Sequence, residues 1–165
     1  MSPKTDDYPE DKEVSRLTAS CSRAEEIALR LIARAEQNSL GLMAKLERKG
    51  FDTAVIREVI SGLLDRGLLN DERYAELWLR SRLIKQVKSP NWLLFSLKKR
   101  GIDRNSSAEA LEKVLDPDTE YTLLLKYMEK LENTKAFKDK KDFSLRTLLK
   151  HEGFSIETLD RYFNG

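Results

Sequence analysis

The sequence predicts an all-α fold of three tandem three-helix repeats, arranged as an elongated, curved array. One short phrase occurs three times, as KLERKGF, SLKKRGI and LLKHEGF, with its glycines 51 and 52 residues apart. Leucines stand eight and four residues before each glycine, and apolar residues follow it directly and ten positions later. A fixed period of this size is typical of stacked helical units that bury their apolar faces against one another. Such arrays present an extended surface to a large partner.

The first repeat contains three predicted helices. Ser22 opens the capping box SRAE, so the first helix is expected to begin there. Ser39 is the predicted cap of the second helix, which ends at Gly50, because glycine adopts the left-handed conformation that ends helices. Asp52 is the predicted cap of the third helix, which runs to Gly67.

The next two repeats begin and end their helices with the same residue types. Asn70 precedes the acidic first turn of the fourth helix, and Ser89 is followed by a proline, a strong start signal for the fifth. Asp103, Asp116 and Ser155 are the predicted caps of the sixth, seventh and ninth helices. No stretch shows the alternation of a strand, so no strands are predicted.

The fourth helix carries apolar residues on two sides, which predicts that it is wedged between neighbours. Trp78 and Tyr74 on one of these stripes are interpreted as core residues, because large aromatic side chains are mostly buried. The predicted core of the second repeat is Tyr74, Leu77, Trp78, Ile84, Leu93 and Leu97.

These signals divide the chain into four predicted segments. Residues 1–21 are polar and are predicted to be a flexible tail. The three repeats are then expected at residues 22–68, 69–115 and 116–165.

Composition excludes several classes of protein. Cys21 and His151 are the only residues of their types, so no intrachain disulfide can form and a metal site lacks its usual ligands. No phosphate-binding glycine motif occurs, and no stretch of about 18 apolar residues could cross a membrane. We therefore expect a cytoplasmic protein that is not an enzyme, without cofactor, metal or small-molecule substrate. His151 is interpreted as a surface cation at a helix end.

The most informative charge feature is a cationic strip. No acidic residue occurs between Leu77 and Ile102, although the net charge of the whole chain is only +2. Trp92 and Phe95 are interleaved, and such a strip suits a phosphate backbone or an acidic protein surface. The candidate binding residues are Arg80, Arg82, Lys85, Lys88, Lys98, Lys99 and Arg100. A second lysine-rich stretch is predicted to be a loop and is a weaker candidate for a binding surface. It contains Lys135, Lys138, Lys140 and Lys141.

The run LLDRGLLNDERYAELWLRSR, followed by SLKKRGI, resembles the RecX family of bacterial recombination regulators. The first repeat, AEEIALRLIARAEQNSLGLMAKLERKGF, is similar to the opening repeat of that family. The resemblance covers roughly residues 22 to 163 and is strongest from Leu63 to Ile102. Asp71–Tyr74 match the family motif, and Arg82 falls on the basic residue that follows it.

The resemblance implies a regulator, mainly an inhibitor, of the RecA recombinase in DNA repair. It implies that the protein binds RecA filaments on single-stranded DNA, lies in their helical groove, and suppresses ATP hydrolysis and strand exchange. No catalytic residues and no cofactor come with the family. We expect a monomer, and the sequence leaves open whether DNA is contacted directly.

Two alternatives from other classes stay open at this point. The Leu–Gly–apolar junctions resemble the turn of a helix-turn-helix, so the chain could be a stand-alone DNA-binding protein with the helix after Gly50 as reader. That helix carries Thr53, Arg57, Glu58 and Ser61 outward, which is a thin, mixed-charge set for base contacts. The third hypothesis is a general helical scaffold for another protein.

Overall fold

The computed structural model describes residues 9–133 and 142–165, which form nine α-helices and no β-strand. The helices α1 to α9 span Pro9–Arg34, Ser39–Glu47, Thr53–Asp65, Asp71–Lys85, Pro90–Lys98, Arg104–Val114, Pro117–Glu132, Asp142–His151 and Ile156–Asn164. The all-helical prediction is confirmed for this part of the chain. The first eight residues of the predicted tail, and the second lysine-rich stretch at 135–141, lie outside the described residues.

The first helix begins earlier than predicted. α1 starts at Pro9, and Ser22 lies inside it, where its hydroxyl donates a hydrogen bond to the Thr18 carbonyl (3.1 Å). The prediction of a helix start at Ser22 is therefore wrong. A capping-box sequence can also occur within a helix, and neither glycine nor proline interrupts the chain between residues 10 and 40.

Four of the predicted caps bond the first amides of their helices. The side chains of Ser89, Asp103, Asp116 and Ser155 accept hydrogen bonds from backbone N–H groups of α5, α6, α7 and α9. Asp52 precedes α3 without a side-chain cap bond, and Ser39 is the first residue of α2 rather than its cap. Most helix starts in the second and third repeats are thus fixed by residues close in sequence.

The repeated glycines end helices in the left-handed conformation, as predicted. Gly50, Gly101 and Gly153 have φ angles of 84°, 81° and 93°. In each case the residue after the glycine donates its N–H to the carbonyl of the leucine five positions earlier, for example Phe51 to Leu46 at 3.4 Å. This bond is characteristic of the Schellman motif, in which the residue after the glycine also packs against the helix it ends.

The recurring leucines form the interior of each repeat. All six leucines that stand four and eight residues before the glycines are buried. The apolar residues directly after the glycines are buried or packed against the same cores. The six leucines are Leu42, Leu46, Leu93, Leu97, Leu145 and Leu149.

The described helices form two compact units. The first ends at Asn70 and contains α1–α3 around one hydrophobic core. The second begins at Asp71 and contains α4–α9 around two cores, one in α4–α6 and one mainly in α7–α9. Leu83, Val87 and Leu115 of the second repeat pack against the third core. The four segment boundaries given by the sequence stay predictions.

The prediction that both apolar stripes of α4 are buried is wrong. Ala75 and Leu79 are fully buried, and Tyr74 and Trp78 pack partly against the same core. Leu77 and Ile84, in contrast, are 50% and 86% exposed. These two residues lie seven positions apart and therefore share one side of the helix, away from the buried alanine–leucine stripe. The core of the second repeat needs only one side of α4.

Candidate partner-binding surface

The fourth and fifth helices bring two tryptophans together in the second unit. Trp78 lies in the middle of α4, and Trp92 lies in the first turn of α5, two residues after Pro90 begins that helix. Their ring centroids are 6.4 Å apart, and the ring planes differ by 21°, so the rings are stacked. Both side chains are half-buried, with one part against the core and one part at the surface. Offset stacking of this kind is a favourable aromatic geometry.

Three cations of the strip lie over these two rings. The guanidinium carbons of Arg82 and Arg100 are 4.9 Å and 4.4 Å from the centre of Trp78, and the Lys88 ammonium is 4.7 Å from the centre of Trp92. Arg82 stands four residues after Trp78, the spacing at which side chains meet on one face of a helix. We call these five residues, Trp78, Arg82, Lys88, Trp92 and Arg100, the cation–aromatic cluster.

Arg100 reaches the cluster from beyond the end of α5. Its Nη1 donates to the Ser96 carbonyl at 2.8 Å, one of the carbonyls that the helix end leaves without an intrahelical partner. The same guanidinium covers Trp78 of α4. The side chain therefore both stabilises the helix end and links the two helices, which fixes its charge at this surface.

The other predicted binding residues lie outside the cluster. Lys99 is placed over the Phe95 ring at 4.6 Å, and Lys98 lines a groove between α5 and α6. Arg80 and Lys85 are exposed on α4. Because a helix turns about 100° per residue, Arg80 projects roughly 200° away from Arg82. The fold brings Arg82, Lys88 and Arg100 together and leaves Arg80 on another side.

Most charges of the strip have no acidic partner. Within the described residues, no carboxylate pairs with Arg80, Arg82, Lys85, Lys88, Lys98 or Lys99. On the same unit, Lys113 is neutralised by Glu76 at 3.0 Å, and this carboxylate raises the pKa of Lys113. Unpaired cations produce a local positive potential even when the net charge is small. The strip is thus positive in the folded structure as well as in the sequence.

A second groove lies where the second and third repeats meet inside this unit, and its lining includes Asn91, Tyr127 and Glu152. The Asn91 amide donates to the Glu152 carbonyl at 3.0 Å, and Asn91 Nδ2 donates to the His151 carbonyl at 2.6 Å. Tyr127 contributes a partly buried hydroxyl beside Glu152. Burial raises the pKa of Tyr127, and the nearby Glu152 charge raises it further. His151 is exposed at the end of α8, where the sequence predicts a surface cation.

Sequence reasoning misses the pairing of the tryptophans and the contact of Asn91 with α8. The sequence predicts Trp78 as a core residue, whereas its ring is shared between the core and the cations. Asn91 lies 60 residues from His151, so no local pattern could indicate that hydrogen bond. The available signal is the interleaving of aromatic residues with the cationic strip.

The lone cysteine lies in the first unit. The Cys21 thiol is 3.5 Å from a Glu58 carboxylate oxygen. Burial raises the pKa of Cys21, and Glu58 adds to this effect by its hydrogen bond and its charge. A raised pKa disfavours the thiolate, which is the reactive form.

Neither a metal-binding cluster nor a membrane-spanning helix occurs among the described residues. No group of three or more histidine, cysteine, aspartate or glutamate side chains could hold a metal ion in the part of the chain that the structure covers. Among the helices described, none is both long and apolar enough to span a bilayer.

Comparison with known sequences identifies relatives that are titled regulatory protein RecX. The family profile described as RecX, second three-helix domain, matches residues 70–111, which contain the cation–aromatic cluster. A protein titled regulatory protein RecX from Treponema pallidum strain Nichols is 37% identical over 111 residues, covering 67% of this chain and 68% of the relative. A protein of the same title from Amycolatopsis mediterranei is 39% identical over 93 residues, or 56% of this chain and 53% of the relative.

Solved structures share the fold. The crystal structure of RecX from Lactobacillus salivarius superposes with a TM-score of 0.67 and 24% identity, covering 87% of this chain and 94% of that one. A second crystal structure, titled regulatory protein RecX, gives a TM-score of 0.76 at 16% identity over 100% of this chain and 82% of the other.

Proposed function

This chain belongs to the RecX family, and from that premise we propose that it regulates the RecA recombinase by binding RecA filaments on single-stranded DNA. In this proposal it acts in the cytoplasm, mainly as an inhibitor, and suppresses ATP hydrolysis and strand exchange by the filament. It has no catalytic step of its own. The filament is identified as RecA from the family alone. The surface of that filament must in turn be complementary to the cation–aromatic cluster and to the cations of the strip around it.

The observation that carries the proposal is the cation–aromatic cluster with the unpaired cations around it. A nucleoprotein filament is anionic, so a positive surface speeds the encounter and orients the protein before contact. The Arg82 guanidinium lies over the Trp78 ring, and a planar guanidinium carries its N–H donors along its edge. That edge is suited to two parallel hydrogen bonds with a carboxylate or a phosphate.

The first test reverses two of these charges. We expect Arg82→Glu combined with Lys85→Glu to weaken inhibition of the filament ATPase by about tenfold or more, because two attractive charges become repulsive. Neither side chain pairs with a carboxylate among the described residues, but Arg82 lies over Trp78, so inhibition is compared only after the fold of the variant has been verified. ATP hydrolysis is measured over a range of inhibitor concentrations, with circular dichroism as the check on folding.

A matched control changes the same charges elsewhere. Arg48 and Lys49 are exposed in the first unit, and Arg48→Glu with Lys49→Glu alters the net charge by the same amount. This variant should inhibit like the wild type. Equal potency of all three proteins would contradict the strip as the binding surface. Absence of inhibition by the wild type would contradict the regulator assignment itself.

The DNA-binding alternative is separated by the salt dependence of binding. Binding to bare single-stranded DNA weakens with a slope of about 0.7 per phosphate contact on logarithmic axes. The α3 face that would read DNA carries Glu58, which is engaged with Cys21, and this disfavours it as a reading helix. Binding that needs RecA and nucleotide supports the filament. Equal binding to bare DNA without RecA supports the alternative.

A further inference from the structure

The groove between α5 and α6 is not used by the cation–aromatic cluster. It has a volume of about 580 Å³, and Leu94, Phe95, Ile102 and Ala108 provide its apolar lining. Phe95, which also lines the groove, is 54% exposed, so its ring is accessible to a partner. Binding clefts are commonly about 300–1,000 Å³, so the groove is large enough for one or two bulky side chains.

A buried polar group lies at the floor of this groove. Ser107 is 3% exposed, and its hydroxyl makes no hydrogen bond within the described residues. Buried hydroxyls are nearly always paired, because an unpaired one costs free energy. The unpaired hydroxyl therefore favours a ligand that brings a hydrogen-bonding group, such as the backbone of a peptide segment, together with its apolar side chain.

The rim of the groove carries positive charge. Lys98 and Arg104 stand on its two helices. The carboxylate of Asp103 also lies at the rim, but it accepts hydrogen bonds from the amides of Asn105 and Ser106 at 2.9 Å and 3.0 Å. Its charge is therefore partly satisfied by the start of α6, and the cations determine which partner the rim attracts.

We infer that this groove binds an acidic segment of a protein, in which one bulky apolar side chain enters the groove and flanking carboxylates pair with Lys98 and Arg104. The inference rests on the proposed function, with the segment belonging to the protein component of the filament. The apolar lining favours a leucine, isoleucine, methionine or phenylalanine anchor. A nucleic acid strand is disfavoured, because its bases would need several stacking rings, whereas Phe95 is the one aromatic side chain among the described residues that line this groove.

The first experiment fills the groove without changing charge. Ala108 is exposed on α6 and lines the groove, so Ala108→Leu occupies the space of the anchor and leaves the core untouched. We expect this variant to bind RecA filaments about tenfold more weakly than the wild type. Ala54→Leu is the matched control, because Ala54 is exposed on α3 of the first unit, and it should bind normally.

A second variant tests the charge of the rim. Arg104→Gln removes one cation that is not part of the strip, and it should weaken filament binding severalfold while reducing the dependence of binding on salt. A photo-crosslinking residue at position 105, beside Arg104, should form adducts with a RecA peptide that contains an apolar residue among aspartates or glutamates.

The outcomes separate the two proposals. Weaker binding by Ala108→Leu and Arg104→Gln, with adducts to an acidic peptide, supports the groove. Normal binding by both variants, or adducts with DNA, overturns it, and the strip remains as the binding surface. If the wild type does not bind filaments at all, the proposed function fails and the groove inference fails with it.

Discussion

Gly153 shows how a single residue couples two repeats. Its φ of 93° requires glycine, and a Cβ atom there would lie 2.6 Å from Asn91 Oδ1 and 3.1 Å from the Asn91 nitrogen. Asn91 in turn bonds the carbonyls of His151 and Glu152, just before the glycine. The equivalent Gly50 has a φ of 84°, and a Cβ atom at that position would meet no other atom within 4 Å. The two glycines therefore share a backbone conformation and differ in their surroundings.

Replacing each glycine by alanine separates these effects. Gly50→Ala should lower the free energy of unfolding by about 1–2 kcal/mol, because only the left-handed backbone is disfavoured. Gly153→Ala should cost at least about 1 kcal/mol more, since Asn91 must also move. Chemical denaturation of both variants measures the difference. Equal costs would contradict the close packing of Asn91 against Gly153.

Residue-scale prediction from sequence succeeds where the cause is local. The glycine stops and the caps at Ser89, Asp103 and Asp116 depend on residues a few positions away, so the pattern contains the information. Ile84 is misassigned by its sequence pattern, because an apolar stripe does not indicate whether a neighbour exists to cover it. Only the tertiary packing shows that the core requires one side of α4.

At the scale of the helix, α9 is capped by a residue from another helix. Glu120 of α7 is only 7% exposed, and its carboxylate accepts hydrogen bonds from the Ser155 amide (2.8 Å), the Ser155 hydroxyl (2.5 Å) and the Thr158 hydroxyl (2.6 Å). The start of α9 is positive because of the helix dipole, which suits a buried carboxylate. These bonds span 35 and 38 residues, so the sequence could predict Ser155 as a cap but not Glu120 as its partner.

Removing this carboxylate should destabilise the third core. Glu120→Ala leaves three donors without their acceptor, and we expect the free energy of unfolding to fall by about 2–3 kcal/mol. Glu129→Ala, at an exposed position of the same helix, should change it by less than about 0.5 kcal/mol. Thermal or urea denaturation of both variants provides the measurement. Similar values for the two variants would show that the cap is not needed.

The caps of α6 and α7 predict a loss of stability in acid. Hydrogen bonds from Ser106, from its side chain first and then its amide, hold the pKa of Asp103 below its ordinary value of 3.8. Thr119 lowers the pKa of Asp116 in the same way. A lowered pKa means that the stabilisation is present above pH 3.8 and is lost as the pH falls through the lowered values.

An uncharged cap tests this dependence. Asp103→Asn combined with Asp116→Asn keeps an acceptor oxygen at each helix start and removes the titrating group. The variant should lose less stability than the wild type between about pH 5 and about pH 2.5. Urea denaturation at both pH values gives the comparison. If the two proteins lose the same stability, the aspartates do not contribute to the acid sensitivity.

For the whole molecule, the division into two units predicts more than one unfolding transition. The first unit has its own core, and both tryptophans of the chain lie in the second unit, in α4 and α5. Tryptophan fluorescence therefore reports the second unit alone, whereas far-ultraviolet circular dichroism reports helices of both. We expect the two signals to follow different curves in urea, because proteins with more than one compact unit depart from a single all-or-none transition.

A fragment provides the control for this prediction. Residues 71–165 alone should show the same fluorescence transition as the full chain, since this unit contains its own cores. Superimposable fluorescence and circular dichroism curves for the full chain would indicate a single cooperative structure instead. The repeat period predicts where the units begin but not that the second and third repeats pack into one unit. That depends on contacts such as those of Leu83 and Val87 with the third core.

Because Trp78 and Trp92 are stacked beneath cations, their fluorescence can be used to measure the electrostatic potential of this surface. Both emitting rings lie next to positive side chains at 4.4–4.9 Å. The positive potential therefore raises the local concentration of iodide, an anion that quenches tryptophan fluorescence. It lowers the local concentration of caesium, a cationic quencher. The ratio of iodide to caesium quenching therefore reports the surface potential of the strip. Measuring this ratio at increasing ionic strength requires neither a label nor a binding partner.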